Sequence, residues 1–322
     1  MSELLVVEPV FAQRLWGGSA LGHMFGAAVP EGVIGECWAV SGMPAMSGVV
    51  HCDGPADGMT LRQAWSEGFV TGSPRTDELP ILCKFLDPQD WLSVQVHPDD
   101  AQAQALEDEP RGKAECWLVL HAEPGAELML GHTAPTAETL RSALEEGTLD
   151  QHLVHLPVKQ DDFFMVAAGE VHSLGAGLLV YEVQQSSDIT YRLYDFDRVG
   201  LDGQPRELHV DKGFSVVTAP HDPDLALTAQ DWRPLGAGAR TRVLADVPAF
   251  RVSRWEAKDS SFILESEGYQ IVTVIGGGGE LVSAGGEVHV GLGTSLVIPA
   301  GVGPVTATGT LHAIVTEPGP AV

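Results

Sequence analysis

Basic side chains are scarce in this chain of 322 residues, where 18 Lys and Arg stand against 44 Asp and Glu for a formal net charge of -26. That balance repels polyphosphate backbones and anionic bilayers, so neither nucleic acid nor a membrane surface is expected as a partner. The few bases become informative, because an anionic small substrate would need them gathered in one place. Cysteine is equally sparse. Cys37, Cys52, Cys83 and Cys116 lack C-x-x-C spacing, which disfavours a disulfide framework or a thiolate zinc site and reads them as small buried apolar residues. No apolar run approaches a membrane span, and Met1 to Leu5 carries no charged-then-apolar leader, so a cytoplasmic location is the expectation.

What the chain does have is a hydrophobic content of 44%, enough to fill a large core. Most of it falls in short strand-like runs separated by Gly, Pro and Asp turns, the pattern of a sandwich or barrel. Helix signals are local. Thr60 and Gln63 have capping-box spacing, followed by Leu61, Ala64 and Trp65 on one face and a stop at Gly68. A second helix is expected over Thr136 to Glu146, ended by Gly147, and a third over Asp99 to Leu106. From about Arg240 helix signals vanish and glycine becomes dense. Residues 240–322 therefore read as a separate small β domain, after a linker at Asp231 to Gly238 and a larger unit over 1–230.

Polar interruptions of apolar strands mark the candidate site. In Leu92-Ser93-Val94-Gln95-Val96-His97, alternation puts Leu92, Val94 and Val96 on one face and Ser93, Gln95 and His97 on the other. The second face is either solvated or enclosed with partners. In Gly112-Lys113-Ala114-Glu115-Cys116-Trp117, Lys113 and Glu115 share a face of a strand that is apolar on both sides, and a carboxylate buried there needs a cation. A solvated Lys-Glu pair is the plainer account. His172 follows a turn among apolar neighbours, where a hydrogen-bonded core imidazole is commoner than a ligand. Together, two imidazoles, a carboxylate and an amide oxygen could surround a divalent ion such as zinc, though spacing alone does not make them converge. Further on, Glu182 and Gln184 share a face, as do Asp188, Thr190, Arg192 and Tyr194 if the chain stays extended. An Asp beside an Arg is a cross-strand ion pair, or an acid/base carboxylate beside a guanidinium that recognises an anion or steadies an enolate-like oxygen.

Over most of residues 8 to 215 the sequence resembles the type I mannose-6-phosphate isomerases, in their shorter bacterial form. The blocks are FAQRLWGG from Phe11, IGECWAVS from Ile34, LPILCKFLDPQDWLSVQVHPDD from Leu79, GKAECW from Gly112, the run Tyr181 to Asp197, and RELHVDK from Arg206. The resemblance implies Gln95, His97, Glu115 and His172 as ligands of one zinc ion. It also implies Lys113 and Arg192 as bases contacting the substrate or its phosphate, and Glu182 and Asp188 as pocket carboxylates. The implied fold is mainly β: a cupin-type jelly-roll barrel with helical insertions, plus a smaller C-terminal jelly roll. Asp161 and Ala167 depart from the cupin pattern of Gly and Pro at a turn. A faint echo of the second motif at Gly293 to Gly301 places Pro304 where His172 would align, so no metal is expected in the second barrel, and His289 and His312 are expected at the surface or in the core.

The activity implied is interconversion of mannose 6-phosphate and fructose 6-phosphate through a cis-enediol. Two alternatives share the fold: a cupin metal-dependent oxygenase, which would favour a His-richer ligand set, and a non-catalytic sugar-phosphate sensor.

Overall fold

The structure is a computed structural model that describes residues 3–200, 203–218, 230–265 and 267–319. The first half of the chain runs β1 (Leu5–Val7), β2 (Val10–Gly18), α1 (Ala20–Phe25), β3 (Ile34–Val40), β4 (Val50–His51), α2 (Leu61–Ser66), β5 (Ile81–Leu86), β6 (Val94–Val96), α3 (Asp100–Glu107), β7 (Glu115–Ala122) and β8 (Glu127–His132). It continues through α4 (Ala137–Glu145), β9 (Leu153–Pro157), β10 (Phe163–Val166), β11 (His172–Leu174), β12 (Leu178–Gln185), β13 (Tyr191–Tyr194) and α5 (Val210–Val216). The C-terminal strands are β14 (Arg233–Gly236), β15 (Ala239–Asp246), β16 (Phe250–Leu264), β17 (Gln270–Ser283), β18 (Gly286–Gly291), β19 (Ser295–Ile298) and β20 (Val305–Pro318).

The three expected helices form with the caps their sequences offer. Thr60 and Gln63 make a complete capping box for α2, Asp99 and Gln102 make another for α3, and Thr136 caps α4. Two further helices gave no local signal. The start of α1 is held from 66 residues away, where the buried Asp87 carboxylate accepts from the Leu21 amide at 3.0 Å, and α5 has no side-chain N-cap at all.

Three antiparallel sheets stack in layers. The first barrel consists of a six-stranded sheet, β10-β7-β12-β5-β3-β2, facing a five-stranded sheet, β13-β6-β11-β8-β9. Trp16, Leu86, Trp117, Leu128, Leu174 and Val180 fill the space between them. Outside the five-stranded sheet, Leu140 of α4 and Phe214 of α5 cover Val96, Met129 and Leu193. The six-stranded sheet is apolar on its far side too, where Cys37, Cys83, Phe85, Cys116 and Tyr181 join Phe250, Val252 and Ile271 in a second core. Three of the four cysteines are thus interior apolar residues, Cys52 is half-buried, and all four are free. Burial on both faces is what the run Ile81 to Leu86, apolar but for Lys84, requires.

The C-terminal strands form a nine-stranded sheet around their own core of Trp255, Phe262, Leu281 and Leu296. Two of its strands come from the other end of the chain, since β1 pairs with β19 and β4 pairs with β1. Residues 231–238 were expected as a linker, and the described part instead contains β14, an edge strand paired to β15. Arg240 and Arg242 stack on the Trp232 ring with their Cζ atoms 4.2 and 4.8 Å from its centroid, which anchors a segment whose Pro and Gly content suggests a loop. Asp161 takes the left-handed backbone, φ 71°, that glycine would adopt at this cupin turn. Its carboxylate reaches Arg254 of β16 at 2.6 Å, fastening the turn to the C-terminal sheet.

Candidate metal centre and active site

The site lies where the two sheets of the first barrel face each other. Arg192, Gln95 and His172 occupy one row across β13, β6 and β11, each directly paired with the next. Directly paired residues project to the same side of a sheet. On the opposite sheet a second row, Trp38, Lys84, Glu182 and Trp117, crosses β3, β5, β12 and β7. Glu115 lies two residues before Trp117 on β7 and so shares its face. Gly112 brings the preceding turn close enough that a Cβ there would collide with the backbone of Pro98 and Asp99. Lys113 then hydrogen-bonds through its amide to Pro98 O at 3.0 Å, placing it beside His97.

His97, Glu115 and His172 are buried and present donor atoms all within 4.8 Å of one another. Each imidazole is oriented by its far nitrogen: His97 Nδ1 donates to Ile189 O and His172 Nδ1 to Glu170 O, both at 2.8 Å. That tautomer leaves a lone pair on each Nε2, pointing inward. Burial first, and then the Lys113 charge, hold His97 well below the usual imidazole range; His172 is pushed down to about 4, chiefly by burial. Both rings are therefore neutral at ordinary pH.

The donor set fits a divalent cation. Glu115 Oε1 is buried without a hydrogen-bond partner, and it lies 3.3 Å from the His172 Nε2 lone pair. Two acceptors facing each other at that distance repel unless a cation lies between them. Gln95 Nε2 sits 3.1 Å from His172 Nε2 and 3.4 Å from His97 Nε2. A half-turn of its χ3 exchanges the amide ends and offers Oε1 to the same point. Two imidazole nitrogens, a carboxylate and an amide oxygen match a borderline ion of the zinc type, and the cavity beside them leaves room for a further ligand.

That cavity, of about 690 Å³, is lined by Gln95, Lys113, Glu182, Asp188 and Arg192 among others. Lys113 Nζ donates to Glu115 Oε2 at 2.6 Å and lies 3.1 Å from His97 Nε2. Burial opposes its ammonium, yet Glu115 and Glu182 together hold its pKa above the ordinary value. Glu182 is raised by burial and by the Glu115 charge, against the pull of Lys113 and Lys84. Its Oε2 accepts from Trp117 Nε1 at 2.9 Å. Asp188, by contrast, is exposed at the rim. Burial and the neighbouring Arg206 charge lower the pKa of Arg192. Its Nη1 donates to Glu207 O at 2.8 Å, while its buried Nε has no partner. Asp188, Thr190 and Arg192 face this cavity together, but Tyr194 lines a different one. The register shifts between Arg192 and Tyr194 and breaks the expected alternation.

Several cavity residues carried a sequence signal that alternation alone did not isolate. Lys84 is a lone charge inside the apolar run ILCKFL, and Glu36 another inside IGECWAV. Lys84 Nζ lies 4.1 Å from the Trp38 ring centroid and 4.0 Å from Glu182. Glu36 receives two bonds from Arg14, at 2.9 and 2.8 Å, and one from Trp38 at 2.7 Å. Arg14, Glu36, Lys84, Glu182, Lys113 and Glu115 thus alternate in sign across the cavity floor, each buried charge beside its opposite. In the second barrel His312 is exposed, and the exposed His289 lies 3.2 and 3.6 Å from Glu280 and Glu287, a surface group whose atoms are close enough together to hold an ion.

Comparison with known proteins decides the family. The chain is 37% identical over 319 residues to a probable mannose-6-phosphate isomerase, GmuF, of Bacillus subtilis, covering 99% of this chain and 100% of that one. This chain belongs to the type I phosphomannose isomerases. The family's catalytic-domain description, "Phosphomannose isomerase type I, catalytic domain", fits residues 4–113, and "Mannose-6-phosphate isomerase, cupin domain" fits residues 240–318. A mannose-6-phosphate isomerase of Streptococcus mutans is 37% identical over 93% of each chain. The crystal structure of the mannose 6-phosphate isomerase from Bacillus subtilis superposes with a TM-score of 0.92 at 33% identity, over 98% of this chain and 99% of that one. A phosphomannose isomerase of Salmonella typhimurium, 18% identical with a TM-score of 0.78, shares the fold.

Proposed function

We propose that this chain interconverts mannose 6-phosphate and fructose 6-phosphate through a cis-enediol, using one zinc ion held by Gln95, His97, Glu115 and His172. The observation that carries the reading is the meeting of that donor set with Lys113, Glu182 and Arg192 in one cavity. The chemistry a zinc ion supplies in such a site is Lewis acidity toward the C1 and C2 oxygens of the sugar. Glu182 is the favoured carbon base: it lines the cavity yet is buried, so a captured proton is kept from exchange with water until it is returned. It takes the proton from C2 of the aldose and delivers it to C1 of the enediol, while a second proton passes from the C2 hydroxyl to O1, which together complete the ketose. Asp188, exposed at the rim, is less suited to holding a proton away from water. Lys113 places an ammonium beside the same centre, where it steadies the negative charge that develops on the sugar oxygens. Arg192, whose guanidinium lines the cavity, anchors the phosphate and so supplies binding energy remote from the reacting carbons.

In this reading residues 1–230 form the catalytic unit and residues 240–322 a β unit without metal ligands. The protein works in the cytoplasm, where charged sugar phosphates are retained. No described helix is long and apolar enough to cross a membrane. The amide donor Gln95 and the adjoining Lys113 speak against an oxygenase, and the placement of Glu182 speaks against a sensor that only binds.

The test is a coupled assay for fructose 6-phosphate on metal-replete protein, with and without a chelator. Turnover that the chelator abolishes and zinc restores is the expected result. Binding of mannose 6-phosphate without release of fructose 6-phosphate would refute the enzyme reading.

A further inference from the structure

Two guanidinium groups, Arg192 and Arg206, line the cavity in a protein that is otherwise strongly acidic, and Arg198 lies close behind them. One buried carboxylate, Asp195, stands among them. Its Oδ1 accepts from Arg198 Nη2 at 2.8 Å and from Arg206 Nη2, and its Oδ2 accepts from Arg206 Nε at 2.7 Å. Asp195 is 5% exposed. Burial works against its charge, but Arg206 and Arg198 hold its pKa below the usual carboxylate value.

This carboxylate sorts the three arginines into different states. Arg198 is fully engaged: besides Asp195 Oδ1, its Nε bonds Asp195 O at 3.2 Å and its Nη1 bonds Asp90 at 3.1 Å and the Trp91 carbonyl. Arg206 is engaged along one edge, through Nε and Nη2, and its Nη1 has no partner among the described residues, on a side chain that lines the cavity. Arg192 keeps a buried Nε without a partner. The chain pays strain for this arrangement, since Phe196 and Asp197 both take left-handed backbone, φ 56° and 55°. That tight turn carries the Arg198 amide back to Asp195 O at 3.1 Å.

We infer that Asp195 is a positioning residue for phosphate recognition. It fixes Arg206 by one edge and takes Arg198 out of play, leaving the unbonded Nη1 of Arg206, beside the Arg192 guanidinium that lines the same cavity, to select a phosphate ester. A guanidinium held along one edge keeps its other edge rigid for an anion, whereas a free one spends binding energy on being ordered. The inference rests on the sugar-phosphate reading of the same cavity.

The test uses full-length, zinc-loaded Asp195→Asn. The KM for mannose 6-phosphate and the inhibition constant of inorganic phosphate should rise together by about tenfold or more, with kcat within about threefold and zinc content unchanged. A merely structural role would lower kcat and zinc content as well, and that result overturns the inference, as does an unchanged KM and phosphate constant. Phosphate affinity measured by calorimetry needs no turnover. A tenfold loss there supports the inference even if the protein proved not to be an isomerase, while normal isomerase activity with unaltered phosphate affinity in the variant removes the inference and leaves the isomerase reading intact. If Asp195→Asn does not fold, Asp195→Glu keeps the charge but moves the carboxylate off the edge of Arg206. The same joint rise is expected, and its absence overturns the inference.

Discussion

His97→Ala and His172→Ala should each purify with almost no bound metal and with activity lowered by about three orders of magnitude. Each ring contributes one inward Nε2 lone pair, locked by a 2.8 Å bond from Nδ1 to a backbone carbonyl. Alanine removes one of four donors, so the ion would be held by only three groups. The Lewis-acid contribution of a bound ion is several kcal/mol of transition-state stabilisation, and about 1.4 kcal/mol corresponds to a tenfold rate change. Elemental analysis after dialysis gives the metal content, the coupled assay gives the rate, and a thermal melt checks the fold. Unaltered metal content in either variant would refute that histidine as a ligand.

Glu182→Gln should separate metal binding from proton transfer. The amide preserves size and still accepts from Trp117 Nε1 through its oxygen, so the second row of the site keeps its geometry. It does not take up a proton from carbon. With metal content and KM near those of the wild type, kcat should fall by about 10² to 10⁴. Asp188→Asn, at the exposed rim, should cost far less. A large loss for Asp188→Asn with a small one for Glu182→Gln would transfer the base role to the rim carboxylate.

Strand alternation in LSVQVHPDD was legible because it is local. Val94 and Val96 are buried on the helix-covered side, and Gln95 faces the barrel. The convergence of Gln95 with His172 and Arg192 was not legible, because it depends on register between strands 77 and 97 residues apart in sequence. The choice between Glu182 and Asp188 was hidden for a related reason. Both are carboxylates near a strand, and only packing against Trp117 and Lys84 buries one of them. Helix α2 announced itself through the capping-box spacing of Thr60 and Gln63, and α3 and α4 were legible as local runs whose caps, Asp99 and Thr136, the structure supplies three residues from their partners. Helix α1 did not, because its cap is the distant Asp87. β14 was read as a linker because Pro234, Gly236 and Gly238 look like loop residues. What makes it a strand is pairing with β15, together with two arginines stacked on Trp232. The participation of β1 in the C-terminal sheet has no local signature, since Leu5, Val6 and Val7 would suit any interior edge.

The central claim is that four side chains, two from the β6 segment and one each from β7 and β11, hold one divalent ion beside Lys113 and Glu182. Diffraction collected across the zinc absorption edge from crystals of zinc-loaded protein tests it most directly. The account predicts a single strong anomalous peak per chain, bounded by Gln95, His97, Glu115 and His172. No peak at that point, or one only at the surface group of Glu280, Glu287 and His289, would contradict it.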